Sequence, residues 1–424
     1  MNIAVIPVVC VDKTISSHRI KLWSKWVLRH AGHILLIACF ACHFISPSSA
    51  HSQQGEYRGM WVTRDQIVSR AQIEHIVEIT EAGNFNALFV QVCGRGLALY
   101  DSQLIPKDPR VEGWDPLEYL LRLAHARGIQ VHAWVNALYV WSDFEKRPDS
   151  PAHVMNSNPE WLLLNSKGST AIIKEQNIGF FIDPSIPQVQ GYVVNIYEEL
   201  ARRYPVDGIH LDYIRYPHTD SGYSPKAESD FFALYGIDPP KMGKGISSSK
   251  GSLSKGNMLK KWNDLRKGYM DSLVHRIRSA VRSASSERLL ISAAVISNHE
   301  FAKRDFFQDW PYWMEKGYLD IAIPMAYSNK PATVQEQVVF AARKADETGV
   351  MILGGLGAWY QPETAISSQI QMLRGVRTTL SNPQSLGGVV LFSFDKIGFD
   401  RNYISGLRET VFTGYAAPSL LPGE

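Results

Sequence analysis

From Gly55 onward the chain alternates a short apolar run with an amphipathic stretch, and it does so eight times. The apolar runs fall at 57–62, 86–92, 129–135, 206–214, 289–296, 318–327, 351–356 and 387–394. They are short and often β-branched, which is the pattern of strands covered on both faces. Helical periodicity fills 66–82, 115–127, 187–203, 258–281, 310–316, 333–348 and 363–380, with Pro116 in a first turn. Eight strand–helix units over about 350 residues predict a closed (β/α)8 TIM barrel with enlarged βα loops. The rival is a doubly wound open sheet. It loses support because neither GxGxxG after the first run nor GxxxxGK[ST] occurs. The largest expected loops are 136–184 and a Gly/Ser/Lys-rich tract at 241–257, read as a flexible surface insertion.

Residues 1–54 read differently. Lys21, Lys25, Arg29 and His30 precede an apolar run at 31–45, and small and polar residues follow. That order is an N-terminal export signal, with cleavage expected near Ser48–Ala50. The stretch before Lys21 is long for such a signal, so a start downstream of Met1 is a further expectation. Leu36-Ile37-Ala38-Cys39 also resembles a lipobox, which would make Cys39 a lipid anchor and a membrane tether. Both readings place the working domain outside the cytoplasm, secreted or periplasmic. The expected division is a leader at 1–54, a barrel at 55–410 and a tail at 411–424. Of Cys10, Cys39, Cys42 and Cys93, only Cys93 would survive processing. An internal disulfide or a cysteine zinc cluster is then ruled out.

Charge excludes one class of partner. Lys plus Arg is 44 and Asp plus Glu is 41, so the formal charge of +3 gives no warrant for nucleic acid. The aromatic content is high, with 11 Trp, 18 Tyr and 17 Phe, and aromatic faces stack on sugar rings as well as filling cores.

In a barrel of this type the chemistry sits at the C-terminal ends of the strands. Asp212 ends the fourth apolar run, where an ionised carboxylate is costly unless it is used or paired. It is a candidate nucleophile, base or oxocarbenium partner; an ion pair with Arg215 or Arg64 is the structural alternative. A second acid is needed for two-carboxylate hydrolysis. Asp395 after the eighth run is the choice, with Asp65 after the first as another, and Glu300 lies farther off in a loop. Asp207 and Asp320 lie near the starts of their runs and read as structural acids at the barrel bottom. Gln91 and Arg95 are candidate substrate clamps. His132, Trp134 and Asn136 share one parity on the third strand, as do His210 and Asp212 on the fourth. His132 and His210 read either as hydrogen-bonded core residues facing each other or as support for the acid or the substrate. No HExxH spacing supplies a metal site, and no cofactor is expected. Trp134, Tyr327 and Trp359 are candidates for a stacking wall.

Several segments resemble the glycoside-hydrolase-like barrels of the GHL10 family. They are RGMWVT at 58–63, FNALFVQV with CGRG at 85–96, WDPLEYLLRLAHARGIQVHAWVN at 114–136, IDPSIPQVQGY at 182–192, RYPVDGIHLDYIRYP at 203–217 and YLDIAIPMAY at 318–327. The third- and fourth-strand blocks carry the resemblance best. It implies a bacterial envelope or secreted enzyme, with some members similar to glycosidases of peptide-free peptidoglycan strands. Carried over, Asp212 is the strand-four acid, and Gln91, His132, Trp134 and Asn136 line the cleft. This chain departs from the pattern at Cys93, at Gly96-Leu97 and at Met325, which reads as a groove made less polar.

The function expected is therefore hydrolysis of O-glycosidic bonds in an envelope or extracellular polysaccharide. A non-catalytic carbohydrate-binding barrel is the alternative, and a metal-dependent deacetylase a third.

Overall fold

The computed structural model describes residues 55–170, 179–240, 255–285, 288–419 and 421–422. The leader, Cys39 and nearly all of the Gly/Ser/Lys-rich tract lie outside the described residues. No helix among the described residues is long and apolar enough to cross a membrane.

Eight strands form one ring. They are β1 (Tyr57–Val62), β2 (Ala87–Gly94), β3 (Gln130–Asn136), β4 (Gly208–Asp212), β5 (Leu290–Ile296), β6 (Ile321–Met325), β7 (Met351–Gly357) and β8 (Leu386–Phe392). Each pairs in parallel with its sequence neighbour, and β8 pairs with β1, so the sheet closes. This is the expected (β/α)8 barrel. The main helices around it are α1 (Arg70–Ala82), α2 (Pro116–His125), α3 (Pro187–Arg203), α4 (Lys255–Ala284), α5 (Trp310–Glu315), α6 (Pro331–Thr348), α7 (Glu363–Arg377) and α8 (Arg401–Thr410). Their starts are locally encoded. Ser69 caps α1 by accepting the Gln72 N–H, Asp115 caps α2 by accepting the Glu118 N–H, and prolines open α2, α3 and α6.

Strand alternation splits the core in two. Met60, Leu88, Val90, Val131, Val135, Ile209 and Leu211 point outward to the helices. Tyr57, Trp61, Phe89, Trp134, Ile323, Leu353 and Val390 fill the barrel interior. Large residues on some strands need small ones opposite. A Cβ on Gly208 would lie 2.3 Å from His132 Nδ1, so the glycine makes room for that imidazole.

The bottom of the barrel is tied by acids. Asp207 accepts from the Val131 N–H at 2.7 Å and pairs with His125 at 3.0 Å. Asp320 accepts from Arg282 at 2.5 Å and from the Ile291 N–H at 2.8 Å. Glu56 binds Arg58 at 2.9 Å and Arg374 at 2.7 Å. Residues after α8 run beneath β1, where the Ala417 carbonyl accepts the Glu56 N–H at 2.8 Å.

The top carries the long loops. The segment after β3, expected as plain loop, contains a small antiparallel pair, Tyr139–Trp141 with Phe180–Phe181. The segment between β4 and α4 contains a helix, Pro225–Tyr235, that packs Phe231 against Trp262 of α4.

Candidate active site

Asp212 is the last residue of β4 and sits opposite Asn136 of β3. Its side chain is 11% exposed and opens on a cavity of about 390 Å3 at the barrel's C-terminal end. One wall is apolar and aromatic, made by Trp61, Trp134, Met325, Tyr327 and Phe392 above Ala294. The other is polar, with Thr63, Arg64, Gln91, Arg95, Asn136 and Arg215. An aromatic face beside hydrogen-bonding groups is what a sugar ring, apolar on its C–H face and polar at its rim, requires.

The carboxyl is held from two sides. Its Oδ1 accepts the Tyr213 N–H at 2.6 Å, and Arg215 lies 3.5 Å away. Tyr213 adopts a left-handed φ of 47°, which costs an L residue about 1 kcal/mol. Stacking offsets that cost, because Tyr139 lies 4.7 Å from the Tyr213 ring and the Arg215 guanidinium 4.5 Å above it. Burial raises the Asp212 pKa above the usual carboxylate value, and Arg215, the Tyr213 N–H and Trp134 pull against it without cancelling it. The group therefore keeps its proton to higher pH than an exposed aspartate, as a proton donor to a leaving oxygen must.

Asn136 organises the polar wall. Its Oδ1 accepts from Gln91 Nε2 at 3.1 Å and from the Trp134 indole N–H at 3.0 Å. Gln91 in turn accepts the Arg64 backbone N–H at 3.2 Å. Gln91 of β2 and Trp134 of β3, with Arg64 just after β1 tied on through Gln91, are thus fixed around one amide beside Asp212.

The structure brings Asp212, Gln91, Arg95, Trp134, Asn136 and Tyr327 onto one cavity. It does not bring the other candidates there. His132 and His210 are fully buried in the barrel interior. They do not face each other: in the β3–β4 register His132 lies opposite Gly208 and His210 opposite Trp134. His210 accepts the Trp61 indole N–H at 3.0 Å, so its other nitrogen carries the proton and donates to Ser292 Oγ at 2.8 Å. His132 stacks 4.4 Å from Phe89, and neither of its nitrogens has a hydrogen-bond partner among the described residues. Burial lowers its pKa to about 4 and places that of His210 well below 6.5, so both are neutral supports of the floor rather than substrate contacts.

Asp395 lies outside the cavity wall. It lies in the first turn of the short helix Phe394–Ile397 and accepts a hydrogen bond from Ser393 Oγ. Trp359 is 38% exposed and reaches the site only at second hand, packing its ring 5.0 Å from Tyr327 and 5.4 Å from Phe392. Glu300 pairs with His299 on the helix His299–Phe306. Asp65 is half exposed and bound to Arg110 at 2.7 Å. Asp212 is the one carboxylate on the cavity wall among the described residues. No cluster of three His, Cys, Asp or Glu side chains able to hold a metal occurs among them.

Cys93 is also displaced from its expected place. The β2–β3 register shifts between Gln91 and Cys93, a bulge that turns Cys93 outward beside Val135. Its thiol packs in the outer core and not in the groove, so only Leu97 and Met325 remain as less polar groove positions. Sequence reasoning missed Tyr139, Ser142 and Phe392, and gave Arg215 only as an ion-pair partner of Asp212. The inward parity of Phe392 on β8 was a usable signal. The left-handed turn at Tyr213 had none.

A family model described as glycosyl hydrolase-like 10 matches residues 56–371, which spans the strands β1 to β7 and most of α7. The chain belongs to that family. It is thereby classed with the glycoside hydrolases. Glycosyl hydrolase DigH of Escherichia coli (strain K12) is 26% identical over 296 residues, covering 62% of this chain and 59% of that protein. Glycosyl hydrolase YngK of Bacillus subtilis (strain 168) is 21% identical over 297 residues, covering 63% of this chain and 51% of that one. The chain thus matches less than two thirds of the length of either relative. Among solved structures, the PgaB (BpsB) glycoside hydrolase domain from Bordetella bronchiseptica aligns with a TM-score of 0.62 at 13% identity, covering 84% of this chain and 99% of that one. At that identity the likeness is one of fold.

Proposed function

We propose that this member of the family hydrolyses O-glycosidic bonds of a bacterial envelope or extracellular polysaccharide, with peptide-free peptidoglycan glycan strands as the leading candidate. The observation that carries the proposal is Asp212. It is a carboxyl of raised pKa, held by Tyr213 and Arg215 at the mouth of the barrel, facing an aromatic-walled cavity. Asp212 donates its proton to the departing glycosidic oxygen as the bond to the anomeric carbon breaks, and a water supplies the hydroxyl that joins that carbon, its remaining proton restoring the Asp212 carboxyl. Trp134 and Tyr327 support the ring of the bound sugar, and Gln91, Asn136 and Arg95 hold its hydroxyls.

The test is product release from peptide-free glycan strands and from a panel of neutral and charged polysaccharides. Wild type should release reducing ends from at least one of them, and Asp212→Asn should lower turnover by about a hundredfold or more. Unchanged turnover in the variant would remove Asp212 from the chemistry. Export belongs to the same proposal. Cell fractionation with N-terminal sequencing of the mature chain should find it outside the cytoplasm, either cut near Ser48–Ala50 or beginning at a lipidated Cys39.

A second reading, a barrel that binds glycan without cutting it, is favoured by the single carboxylate on the described cavity wall. Saturable glycan binding with no product from any substrate would support it over hydrolysis.

A further inference from the structure

Three guanidinium groups face the cleft, those of Arg64, Arg95 and Arg215. Arg215 is matched to Asp212. Arg64 and Arg95 also line a second basin of about 600 Å3, so the two hollows share a wall and form one groove across the barrel top.

The acids of the second basin are committed elsewhere. Asp65 and Asp108 both bind the Arg110 guanidinium at 2.7 Å, and Asp149 binds Lys146 at 2.9 Å. Arg64 Nε keeps a loose ion pair with Asp65 at 3.6 Å, too long for a hydrogen bond, while the Asp65 carboxylate bonds Arg110. Among the described residues, no carboxylate is placed in an ion pair with Arg95. Its guanidinium lies over the Trp141 ring at 5.6 Å. Asp143, the acid that feels its field, is already holding the N–H groups of Glu145 at 2.9 Å and Lys146 at 3.0 Å. Burial is the main reason Arg64 sits below the usual arginine pKa. Asp65 opposes this, while Arg95 and Arg110 add to it as neighbouring positive charges.

The backbone of both arginines is also fixed in place. The Arg64 N–H is tied to Gln91 Oε1 at 3.2 Å, and a Cβ on Gly94 would stand 3.2 Å from Arg64 Cδ, so the glycine leaves the side chain its path over β2. Arg95 turns at a left-handed φ of 55°, and its carbonyl meets His153 Nε2 at 2.8 Å. At the next residue a Cβ on Gly96 would lie 2.5 Å from that same nitrogen. The loop is shaped to bring two like charges to one stretch of groove, an arrangement that costs energy until an anion joins them.

Resting on the glycan reading of the cleft, we propose that Arg64 and Arg95 form an anion subsite beside Asp212 that selects glycans bearing a sugar-borne carboxylate. Guanidinium forks suit carboxylates geometrically, and such charge-assisted contacts in a partly buried groove decide specificity more than neutral ones do.

The experiment compares peptide-free peptidoglycan strands, which carry ether-linked carboxylates, with the same strands after carbodiimide activation and borohydride reduction to alcohols. A uronate oligosaccharide series forms a second arm. Both kcat/KM and calorimetric Kd are measured for wild type, Arg95→Gln, Arg64→Gln and Arg95→Lys, with melting curves to confirm folding. Wild type should favour the carboxylate form by about ten- to a hundredfold, and each Gln variant should lose most of that preference, weakening far more on native strands than on reduced ones. Arg95→Lys should recover part of it. A preference for uronates over peptidoglycan strands would support the subsite and change only the source of its anion. Equal affinity for native and reduced strands, or variants that weaken both alike, would overturn it. If no substrate is cut, the binding arm still decides: a carboxylate preference lost in Arg95→Gln supports the subsite while hydrolysis fails, and equal binding overturns the subsite too.

Discussion

Replacing Asn136 with Leu keeps the side-chain volume close to native but removes the one oxygen that Gln91 and Trp134 share. Asn136 is 7% exposed, and Gln91 and Trp134 are each 5% exposed, so both donors would be left largely buried. An orphaned buried donor costs about 1–3 kcal/mol. The cavity beside them admits water, which favours the lower half of that range. We therefore expect a loss of about 2–4 kcal/mol in unfolding free energy, read as a fall in the urea midpoint at unchanged slope. Trp134→Phe removes one of the two orphans in advance. The double variant should therefore be less destabilised than the sum of the singles by about 1–2 kcal/mol. The loosened indole should also raise KM for the cleaved glycan more than it lowers kcat, because Trp134 supports the sugar and does not donate its proton. A change below about 0.5 kcal/mol with strict additivity would refute the shared-acceptor arrangement around Asn136.

Asp212→Asn should change the pH dependence of stability in a defined direction. Burial raises the folded pKa above the reference of 3.8, so the folded state holds this proton where the unfolded state has released it. Its stabilising contribution is full below the unfolded value and is lost as pH rises through the raised folded value. The stability of Asp212→Asn relative to wild type should thus climb with pH across that window, and a flat difference in melting temperature would contradict the burial effect. In wild type, kcat/KM should fall on the basic side as the same proton is lost. Asp320→Ala removes an acid that is 4% exposed from Arg282 and from the Ile291 N–H, and should cost about 3 kcal/mol with KM unchanged. A shift in KM would show that the bottom of the barrel reaches the site. Burial, with Glu199 adding to it, pushes the Cys93 thiol up to about 12, so Ellman's reagent should label it only on unfolding. Fast labelling of the native protein would place Cys93 nearer solvent than the outer core.

Much of the barrel was legible because its periodicity is local. The run at 57–62 and the helix at 187–203 coincide with β1 and α3. The run at 206–214 overstates β4, which covers Gly208–Asp212. Asp207 is spent on tying β4 to the Val131 N–H, and the chain leaves the sheet at the left-handed Tyr213. Parity correctly placed Trp134, Asn136 and Asp212 on the inner face at the open end. It placed His132 and His210 on that face too, yet depth decided their role: they lie lower, where packing seals them. Parity failed at Cys93 because one bulged residue reverses every later side chain on the strand. It also gave no warning at Asp395, whose carboxyl is taken by Ser393 two residues away. Tyr139 and the groove shared by Arg64 and Arg95 depend on loops folding over the barrel top, and no spacing rule encodes that.

The central claim is that a glycan lies across the barrel mouth with its scissile oxygen at Asp212. A crystal structure of Asp212→Asn with a bound peptide-free glycan oligosaccharide tests it most directly. The account predicts a glycosidic oxygen within about 3.5 Å of the residue 212 side-chain amide, with a sugar ring lying on Trp134 or Tyr327. An oligosaccharide bound elsewhere on the barrel, or one crossing the groove with every glycosidic oxygen out of reach of residue 212, would contradict it.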